Sequence, residues 1–215
     1  EWDVKETFAW NWLDSRLLRG GPDVRFGSYF LTSAKFNTDK AKRMMFMLKY
    51  EGDHNFEGNR FNTISPSLTF RLGNHVYLSG QLDYAWNTDE MQYVATTSPL
   101  SSSSLAPYYY VMGHMDQKTY GLTLKLQVNV TPDISIQFYG APFTSIAKYD
   151  DFKLAADTKS HTFENRFQRI DPDQLTYADG VYTIGEGAGQ MPFRNPDFRF
   201  NEFRSNLVAR WEYLP

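Results

Sequence analysis

Apolar and polar residues alternate along most of this chain of 215 residues, and this alternation restricts the fold more than any other feature. On both sides of Thr131-Pro132-Asp133, within residues 124–138, apolar side chains occupy every second position. Successive side chains of a β-strand point to opposite faces, so a period of two predicts strands with one apolar and one polar face. The pattern recurs in residues 2–12, 42–50, 64–72, 75–84, 120–130 and 203–213. No segment shows a convincing helical period, and the sequence therefore predicts an all-β fold.

Tight turns and long connections alternate between these segments. Gly73-Asn74 and Thr131-Pro132-Asp133 are tight turns, whereas residues 98–107 and most of 149–197 form long polar connections. In an antiparallel sheet all the tight turns then fall on one side and all the long loops on the other. The chain supplies about eight strands in this arrangement, and only residues 35–41 are longer than the tight-turn side predicts.

Composition excludes several classes of protein. A net charge of −3 argues against a general nucleic-acid binder, which needs a basic face. The absence of cysteine excludes a disulfide framework and thiolate metal sites. No apolar run approaches the ~18 residues of a membrane helix, and the opening EWDVKETFAW lacks the features of a signal peptide.

Two architectures fit long alternating strands. A soluble β-sandwich packs its apolar face inward, whereas a transmembrane β-barrel turns that face to lipid and lines its interior with the polar one. Alternation over 11 or more residues and the placing of tight turns and long loops on opposite sides favour the barrel. Large aromatics also lie near strand ends on the apolar face, as in interfacial girdles. They are Trp10, Trp12, Tyr84, Trp86, Trp211 and Tyr213.

The predicted fold is thus an antiparallel up-and-down transmembrane β-barrel segment spanning residues 1–215, with the Gram-negative outer membrane as its expected location. Charged residues of both signs occupy the predicted polar face, opposite the apolar one, and charges facing lipid would be costly. Their mixed signs predict a hydrated or plugged interior without ion selectivity. These residues are Lys5, Arg43, Lys49, Arg71, Asp83, Lys125, Arg204, Arg210 and Glu212.

Several segments resemble one known family. They are LLRGGP (17–22), DQKTYGLTLKLQVNVTPDISIQFYGAPF (116–143), YDDFK (149–153) and NPDFRFNEFRSNLVARWEYLP (195–215). The chain is similar to uncharacterised outer-membrane proteins, common in Bacteroidota, that carry an N-terminal carbohydrate-binding family 9-like domain before a large C-terminal β-barrel. The resemblance implies a barrel without an established catalytic motif. This sequence lacks the N-terminal domain, opens in mid-strand and stops after RWEYLP. We therefore expect it to be an internal piece from the later part of a larger barrel.

The sequence offers no clear catalytic or metal-binding constellation. Its histidines, His54, His75, His114 and His161, are well spread and lack metal-ligand spacing. No pattern pairs a serine with a histidine as a hydrolase needs. GEGAGQ at 185–190 lacks the strand-to-helix context of a phosphate-binding loop. We therefore predict no catalytic residue, no metal and no cofactor, and keep a membrane-embedded hydrolase as the less favoured alternative.

Ligand contacts are expected on the long-loop side. Arg16 and Arg19 precede a predicted sharp turn at Gly20-Gly21-Pro22 and suit an anionic group such as a lipid A phosphate or an acidic glycan. Tyr177 and Tyr182 belong to an aromatic-rich loop that we expect to fold over the barrel mouth or to meet a partner. The predicted function is a channel, a transporter or a surface-binding scaffold, with lipopolysaccharide, other outer-membrane proteins or glycans as partners and no nucleic acid. A soluble β-sandwich that binds glycans is the main alternative.

Overall fold

The computed structural model describes residues 1–73, 75–100 and 107–213. In this part of the chain, strands account for most residues, and the helices described are short 3₁₀ turns. The strands are β1 (Trp2–Ala9), β2 (Trp12–Asp14), β3 (Val24–Phe26), β4 (Tyr29–Asn37), β5 (Met44–Asn55), β6 (Arg60–Leu72), β7 (Val76–Thr97), β8 (Tyr109–Thr131), β9 (Ile134–Ala155), β10 (Phe167–Arg169), β11 (Leu175–Ala178), β12 (Val181–Ile184), β13 (Met191–Arg194) and β14 (Phe198–Trp211). The 3₁₀ turns are Glu164–Arg166, Pro172–Gln174 and Gly187–Gly189.

One antiparallel sheet dominates the structure. Its order is β1-β4-β5-β6-β7-β8-β9, and both β14 and the short β10 pair with β9. Among the described residues β1 pairs with β4 alone and β14 with β9 alone, so the sheet is open along these two edges. The predicted all-β antiparallel fold is confirmed, and so is the pairing of the predicted strands in sequence order.

Connections fall on two sides as the sequence predicts, with two exceptions in length. On one side, which we name the turn side, β8 ends at Thr131 and β9 begins at Ile134. The opposite side is the loop side, where β1 leads to β4 through the β2–β3 hairpin. One exception is the loop-side connection between β5 and β6, because it comprises only residues 56–59. The other is the turn-side connection between β4 and β5, which comprises residues 38–43 and is longer than a tight turn.

The predicted long loop at 149–197 needs correction. β9 continues to Ala155, and the residues that follow hold a three-stranded sheet of β11, β12 and β13. The alternation predicts this segment poorly because residues near the end of β9 are buried on both faces, as the consecutive buried residues Phe152, Lys153 and Leu154 show. The predicted loop at 98–107 lies mostly outside the described residues, since 101–106 are not among them.

The lower part of the sheet, from the turn side to the level of Tyr84, Trp86 and Tyr120, exposes its apolar face. We name this region the belt. On its opposite face several small polar side chains are buried, with Ser65 6% exposed and Thr69 and Ser145 4% exposed, whereas long side chains such as Lys125 and Gln127 are exposed. Antiparallel sheets in water bury the apolar face, so the belt has inverted polarity. Exposed apolar residues of the belt include Met44, Leu68, Leu72, Leu78, Leu82, Leu124, Val130, Ile134, Ile136, Phe203, Leu207 and Trp211.

The loop-side ends of β7, β8 and β9 have an ordinary apolar core. These strands are 22, 23 and 22 residues long, against 12 and 13 for β5 and β6, so they extend past their neighbours. We name these ends, together with the segments 10–28 and 156–197 that pack on them, the cap. One buried cluster comprises Leu18, Val24, Met91, Met112 and Phe167, and a second comprises Val111, Phe152, Leu154, Ile184 and Phe193.

Candidate functional site

Hydrogen bonds between neighbouring strands order the polar face of the belt. Ser65 Oγ donates to Asp83 Oδ1 over 2.6 Å, and Gln81 Nε2 donates to the same oxygen over 2.8 Å. On the same face, between β8 and β9, Gln117 Nε2 donates to Ser145 Oγ over 2.9 Å, and the Thr119 hydroxyl lies 3.0 Å from that oxygen. Buried polar groups need such partners, so these side chains form a fixed hydrophilic surface.

A cavity of about 160 Å³ opens on this polar face where the belt meets the cap. Larger spaces of about 400 Å³ and 410 Å³ lie lower on the sheet, but they lack the aromatic wall described below. We name the smaller space the mouth cavity. Its lining comes from the β2–β3 hairpin and from the loop-side ends of β4, β5, β6 and β7, and comprises Trp12, Phe26, Tyr29, Asp53, Asn55, Asn59, Arg60, Phe61, Asn87, Thr88 and Asp89.

Aromatic rings form one wall of the mouth cavity. Trp12 stacks on Phe26, with ring centroids 4.9 Å apart and an interplanar angle of 14°. Tyr29 meets the Trp12 ring edge-on at 5.2 Å. The pairing of Trp12 with Phe26 across the β2–β3 hairpin produces the stack, and offset or edge-to-face packing at these separations is favourable. The hairpin thereby holds a flat apolar surface over the polar face of the sheet.

The polar part of the lining includes Asn55. Asn55 Oδ1 accepts hydrogen bonds from the backbone N–H groups of Glu57 and Asn59, both over 2.9 Å. Asn55 Nδ2 is buried and has no hydrogen-bond partner in the described part of the protein. An unsatisfied buried polar group costs about 1–3 kcal/mol, and native structures keep few of them. Because this nitrogen is buried within the protein, it is not exposed on the cavity surface.

Two carboxylates accompany this amide, and burial disfavours their charged forms. Desolvation raises the pKa of Asp89 above its ordinary value, against the hydrogen bond that its side chain accepts from Met91 N over 2.9 Å. Desolvation also raises the pKa of Asp53, opposed by the nearby His54. Perturbed carboxylates in a cleft are candidates for ligand contacts, and here they lie beside an aromatic wall.

A buried ion pair fixes the segment next to the cavity. The Arg166 guanidinium binds Glu57 with two hydrogen bonds, NH1 to Oε2 over 2.9 Å and NH2 to Oε1 over 2.7 Å. Its remaining donors reach the carbonyl oxygens of Arg25, Ser160 and His161. Gly27 N also donates to Glu57 Oε2 over 3.0 Å, and a Cβ at Gly27 would lie 2.5 Å from Glu57 Cδ. This bidentate pair ties the cap to the turn between β5 and β6.

A histidine and three carboxylates lie at the same level. His114 Nδ1 is 3.1 Å from Glu90 Oε1, and His114 Nε2 is 3.6 Å from Asp116 Oδ2. Desolvation, the largest single influence, lowers the pKa of His114, but the Glu90 hydrogen bond and the charges of Glu90, Asp150 and Asp116 together raise it. The strand register shifts beside this group, between Asp89 and Gln92 where β7 pairs with β8 and between Met112 and His114 where β8 pairs with β9. Such bulges redirect side chains.

The buried Lys153 completes the charged surroundings. Its Nζ lies 3.7 Å from Asp151 Oδ2 and over the rings of Phe163 and Phe167, at 5.7 Å and 5.5 Å. Desolvation lowers its pKa, against the opposing charge of Asp151. Asp151 has a positive φ of 44°, which is uncommon for a residue with a side chain. The Asp151 side chain is 39% exposed, so the buried lysine is paired with a carboxylate at the surface of the cap.

The predicted ligand contacts occupy two separate places in the cap. Arg19, in a left-handed turn at φ 49°, lies 4.7 Å from the ring centroid of Tyr93, while Arg16 is exposed. Tyr177 and Tyr182 pair across β11 and β12, with ring centroids 4.6 Å apart. Neither arginine has a hydrogen bond, an ion pair or a ring contact with either tyrosine in the described residues. These four residues lie outside the lining of the mouth cavity, so their ligand role stays a prediction.

Sequence reasoning missed the residues of the mouth cavity. Trp12 appeared to be a girdle aromatic, although its partners are in the cavity wall. A usable signal was present: Asp and Asn recur at polar-face positions near the loop-side ends of β5 and β7. These positions are Asp53, Asn55, Asn87 and Asp89.

Other types of site are absent from residues 1–73, 75–100 and 107–213. No group of three or more His, Asp or Glu side chains in this range is arranged to hold a metal ion. None of the helices described there is long and apolar enough to cross a membrane. No histidine is hydrogen-bonded to a serine hydroxyl in this part of the chain.

Comparison with known proteins gives one match. No curated protein and no solved structure is significantly similar to the chain. A family model described as a domain of unknown function, DUF5916, matches residues 10–215. This match covers both the belt and the cap, and the chain therefore belongs to the DUF5916 family.

Proposed function

We propose that this chain is part of the wall of an outer-membrane β-barrel that acts as a channel, a transporter or a surface-binding scaffold. The observation that carries the proposal is the inverted polarity of the belt. Leu82 and Leu124 are exposed on one face of the sheet, while Ser65, Thr69 and Ser145 are buried on the other. Strands that alternate apolar outward and polar inward are the pattern of outer-membrane barrels.

The dimensions of the belt support this proposal. Val76 and Trp86 lie on the same strand, ten residues apart, which corresponds to roughly 33 Å along the strand. At a tilt of about 40° the height along the membrane normal is about 25 Å, the height of the apolar band of such barrels. Tyr84 stacks on Trp86 and Tyr120 at one end, and Trp211 lies near Tyr213 at the other. Aromatic rings at both ends fit interfacial girdles.

The open edges of the sheet support a larger assembly. β1 and β14 leave backbone donors and acceptors unpaired along their outer sides in the described structure. Inside a bilayer every such group needs a partner, so a membrane-embedded sheet must continue or close at both edges. In this proposal further strands complete the barrel, as in outer-membrane proteins that carry a carbohydrate-binding family 9-like domain. Lipopolysaccharide would surround the loop side, and glycans or other outer-membrane proteins would meet the cap.

Neighbouring residues on opposite faces test the proposal. The chain has no cysteine, so Leu82→Cys and Gln81→Cys each create one labelling site. Leu82 pairs with Leu122 on the apolar face, and Gln81 pairs with Thr123 on the polar face. Spin labels are attached to the protein in lipid bilayers, and their collisions with lipid-soluble oxygen and with a water-soluble nickel complex are measured. The label at 82 should collide with oxygen, and the label at 81 with the nickel complex.

Solubility distinguishes the main alternative. A soluble β-sandwich would be monodisperse without detergent, and its residue 82 would be shielded from both reagents because apolar faces pack inward. Either result would overturn the membrane proposal. A barrel should instead need detergent and should migrate differently on gels before and after heating.

A further inference from the structure

A row of residues crosses the apolar face of the belt at its loop-side end. In cross-strand order it comprises Trp86, Lys118, Ile146 and Arg199. Directly paired residues of an antiparallel sheet lie on the same face, and Trp86 shares a face with Leu82 because the two are four residues apart on β7. The row therefore continues the apolar face. We name it the cation row, since Lys118 and Arg199 are its charged members.

Both cations of this row are available to a ligand. Lys118 and Arg199 are exposed, and neither side chain has a hydrogen bond or an ion pair in the described part of the chain. Neighbouring strands are about 4.8 Å apart, so the backbones of these two residues, which lie on strands separated by β9, are about 10 Å apart. Their long side chains can therefore meet at one anion placed over Ile146.

The carboxylates beyond the cation row, toward the loop side, already have partners. Asp116 Oδ1 accepts a hydrogen bond from Thr88 Oγ1 over 2.9 Å, and Asp116 Oδ2 lies 3.6 Å from His114 Nε2. Lys148 Nζ donates to Asp197 Oδ2 over 2.7 Å. The protein thus pairs these charges with its own side chains, and it leaves the two charges of the cation row without a counter-ion in the described structure.

On the turn side of the cation row the surface is first aromatic and then apolar. Tyr84 and Tyr120 stack with ring centroids 5.0 Å apart, and beyond them Leu82 is 56% exposed and Phe203 is 65% exposed. A ligand that covers this surface as well as the two charges must join an anionic group to a long apolar part. Arginine binds a phosphate group through paired, charge-assisted hydrogen bonds, and lysine binds it as a point charge. A phospholipid joins such a group to acyl chains.

We propose that the cation row binds the phosphate group of a membrane lipid, whose acyl chains lie along Leu82 and Phe203. The Arg199 guanidinium and the Lys118 ammonium hold the phosphate from its two sides. This inference rests on the proposed function, which places the apolar face of the belt in lipid and the cation row at the membrane interface. It deepens that function by naming the residues that hold the lipid headgroup, and these are residues that the sequence alone did not single out.

Removing charge from one face tests the inference. The double variant Lys118→Gln/Arg199→Gln removes both cations and keeps long polar side chains. Lys125→Gln/Arg210→Gln is the matched control, because it makes the same charge change on the same two strands, β8 and β14, at exposed positions of the polar face. The protein in detergent micelles is titrated with dioleoylphosphatidic acid, dioleoylphosphatidylcholine and inorganic phosphate, and native mass spectrometry gives the dissociation constants.

Phosphatidic acid should bind roughly tenfold more tightly than phosphatidylcholine, or better, because choline neutralises the phosphate charge while the acyl chains are the same. Removing the two cations should weaken the binding of phosphatidic acid roughly tenfold or more, and the control should change it by less than about twofold. Inorganic phosphate lacks the acyl chains and should bind roughly a hundredfold more weakly than phosphatidic acid, or less. Because the contact lies at an exposed surface, added salt should also weaken it.

Three results would overturn the inference. They are equal binding of the two phospholipids, equal losses in the two double variants, and binding of inorganic phosphate as tight as that of phosphatidic acid. If Lys118→Gln/Arg199→Gln loses strand content in circular dichroism, the two single variants decide instead, each with an expected loss of about threefold or more.

The labelling experiment at residues 81 and 82 tests the proposed function separately. Labels that report lipid at 82 and water at 81, together with unchanged lipid binding in Lys118→Gln/Arg199→Gln, keep the proposed function and overturn this inference. A label at 82 that is shielded from both reagents overturns the proposed function, and with it the lipid contact on which this inference rests.

Discussion

β7, β8 and β9 run through both the belt and the cap, and their apolar side chains meet different surroundings in the two regions. On β7, Leu82 is 56% exposed in the belt, whereas Met91 is fully buried in the cap. On β8, Leu124 is exposed and Met112 is fully buried. The cap can gain stability by removing apolar surface from water within the protein. The belt does not do so within the described part of the protein, because its apolar face is exposed. In the proposed function, lipid covers that face.

The belt and the cap also differ in the kind of polar group that they bury. The belt buries small neutral side chains such as Ser65 and Thr69 and satisfies them across strands. The cap buries a full charge, Arg166, and compensates it with Glu57 and three carbonyl oxygens. The belt thus tolerates water along its polar face, whereas the cap depends on dry, fully paired contacts.

The largest effect is expected from breaking the ion pair of the cap. Arg166→Met should destabilise the cap by about 3–5 kcal/mol, because it leaves Glu57 largely buried without its partner. Arg169→Met is the control, since Arg169 is exposed and forms only a 3.7 Å pair with Asp151. It should cost less than ~1 kcal/mol. Hydrogen exchange of the cap amides measures the loss of stability in both variants. Similar losses in the two variants would show that the ion pair between Arg166 and Glu57 does not stabilise the cap.

A cavity in the cap core should have the next largest effect. Met91→Ala removes a fully buried side chain and should cost about 2–5 kcal/mol. Met91→Leu nearly conserves the volume and should cost less than ~1.5 kcal/mol. Because the neighbours of Met91 are protein atoms, the loss should be the same in detergent micelles and in lipid bilayers. Urea denaturation followed by hydrogen exchange in both media checks this, and a loss that depends on the lipid would place Met91 at the membrane instead.

The belt should respond to a charge on one face alone. Leu82→Arg should cost about 2–4 kcal/mol in a bilayer if this face meets lipid near the midplane. Gln81→Arg, one residue away on the polar face, should be nearly neutral. Urea unfolding in lipid vesicles gives both free energies. If Leu82→Arg is tolerated as well as Gln81→Arg, or improves solubility in buffer, then the exposed apolar face does not contact lipid.

Alternation predicted the belt well because most residues there follow a period of two, although Tyr77 and Val208 pair with glutamines on the polar face. The expectation that Leu126 and Phe138 share a face with Val128 and Ile136 is confirmed by the pairs Leu126↔Phe138 and Val128↔Ile136. On the other face Gln127 pairs with Gln137, as predicted. That the apolar face meets lipid stays a prediction. A repeat of two residues shows which side chains share a face of the sheet. It does not show what that face contacts.

The cap and the mouth cavity could not be derived in this way. Val111 and Met112 are adjacent and both fully buried, so the period of two disappears where the cap covers both faces of β8. Trp12 reaches the cavity only because β2 pairs with β3 and lies over the sheet. Such contacts join segments far apart in sequence, and neither local pattern nor composition encodes them. The ion pair between Glu57 and Arg166 could not be predicted from the sequence for the same reason.

The smallest effect concerns pH, at the boundary between belt and cap. The pKa of His114 is raised in the folded protein, so the folded state holds the proton more tightly than the unfolded state, whose value is near 6.5. The contribution of His114 is fully present below that pH and disappears as the pH rises through the folded-state pKa. The free energy of unfolding should therefore fall as the pH rises from 6.5 through the folded-state pKa of His114, and His114→Gln should reduce that fall.

A control variant distinguishes the effect of His114 on the pH dependence of stability from that of another histidine in the sheet. His75→Gln changes an exposed histidine on the turn side, whose Nδ1 lies 3.3 Å from the Asn129 carbonyl oxygen, and should leave the pH dependence unchanged. Asp89 also has a raised pKa, but it is present in both variants and its contribution cancels to first order in the comparison. Urea midpoints measured across this pH range give the slopes. If His114→Gln and the unmodified chain have the same slope, Glu90, Asp116 and Asp150 do not hold the proton on His114. The boundary between belt and cap would then be insensitive to pH, and the two regions would differ in packing alone.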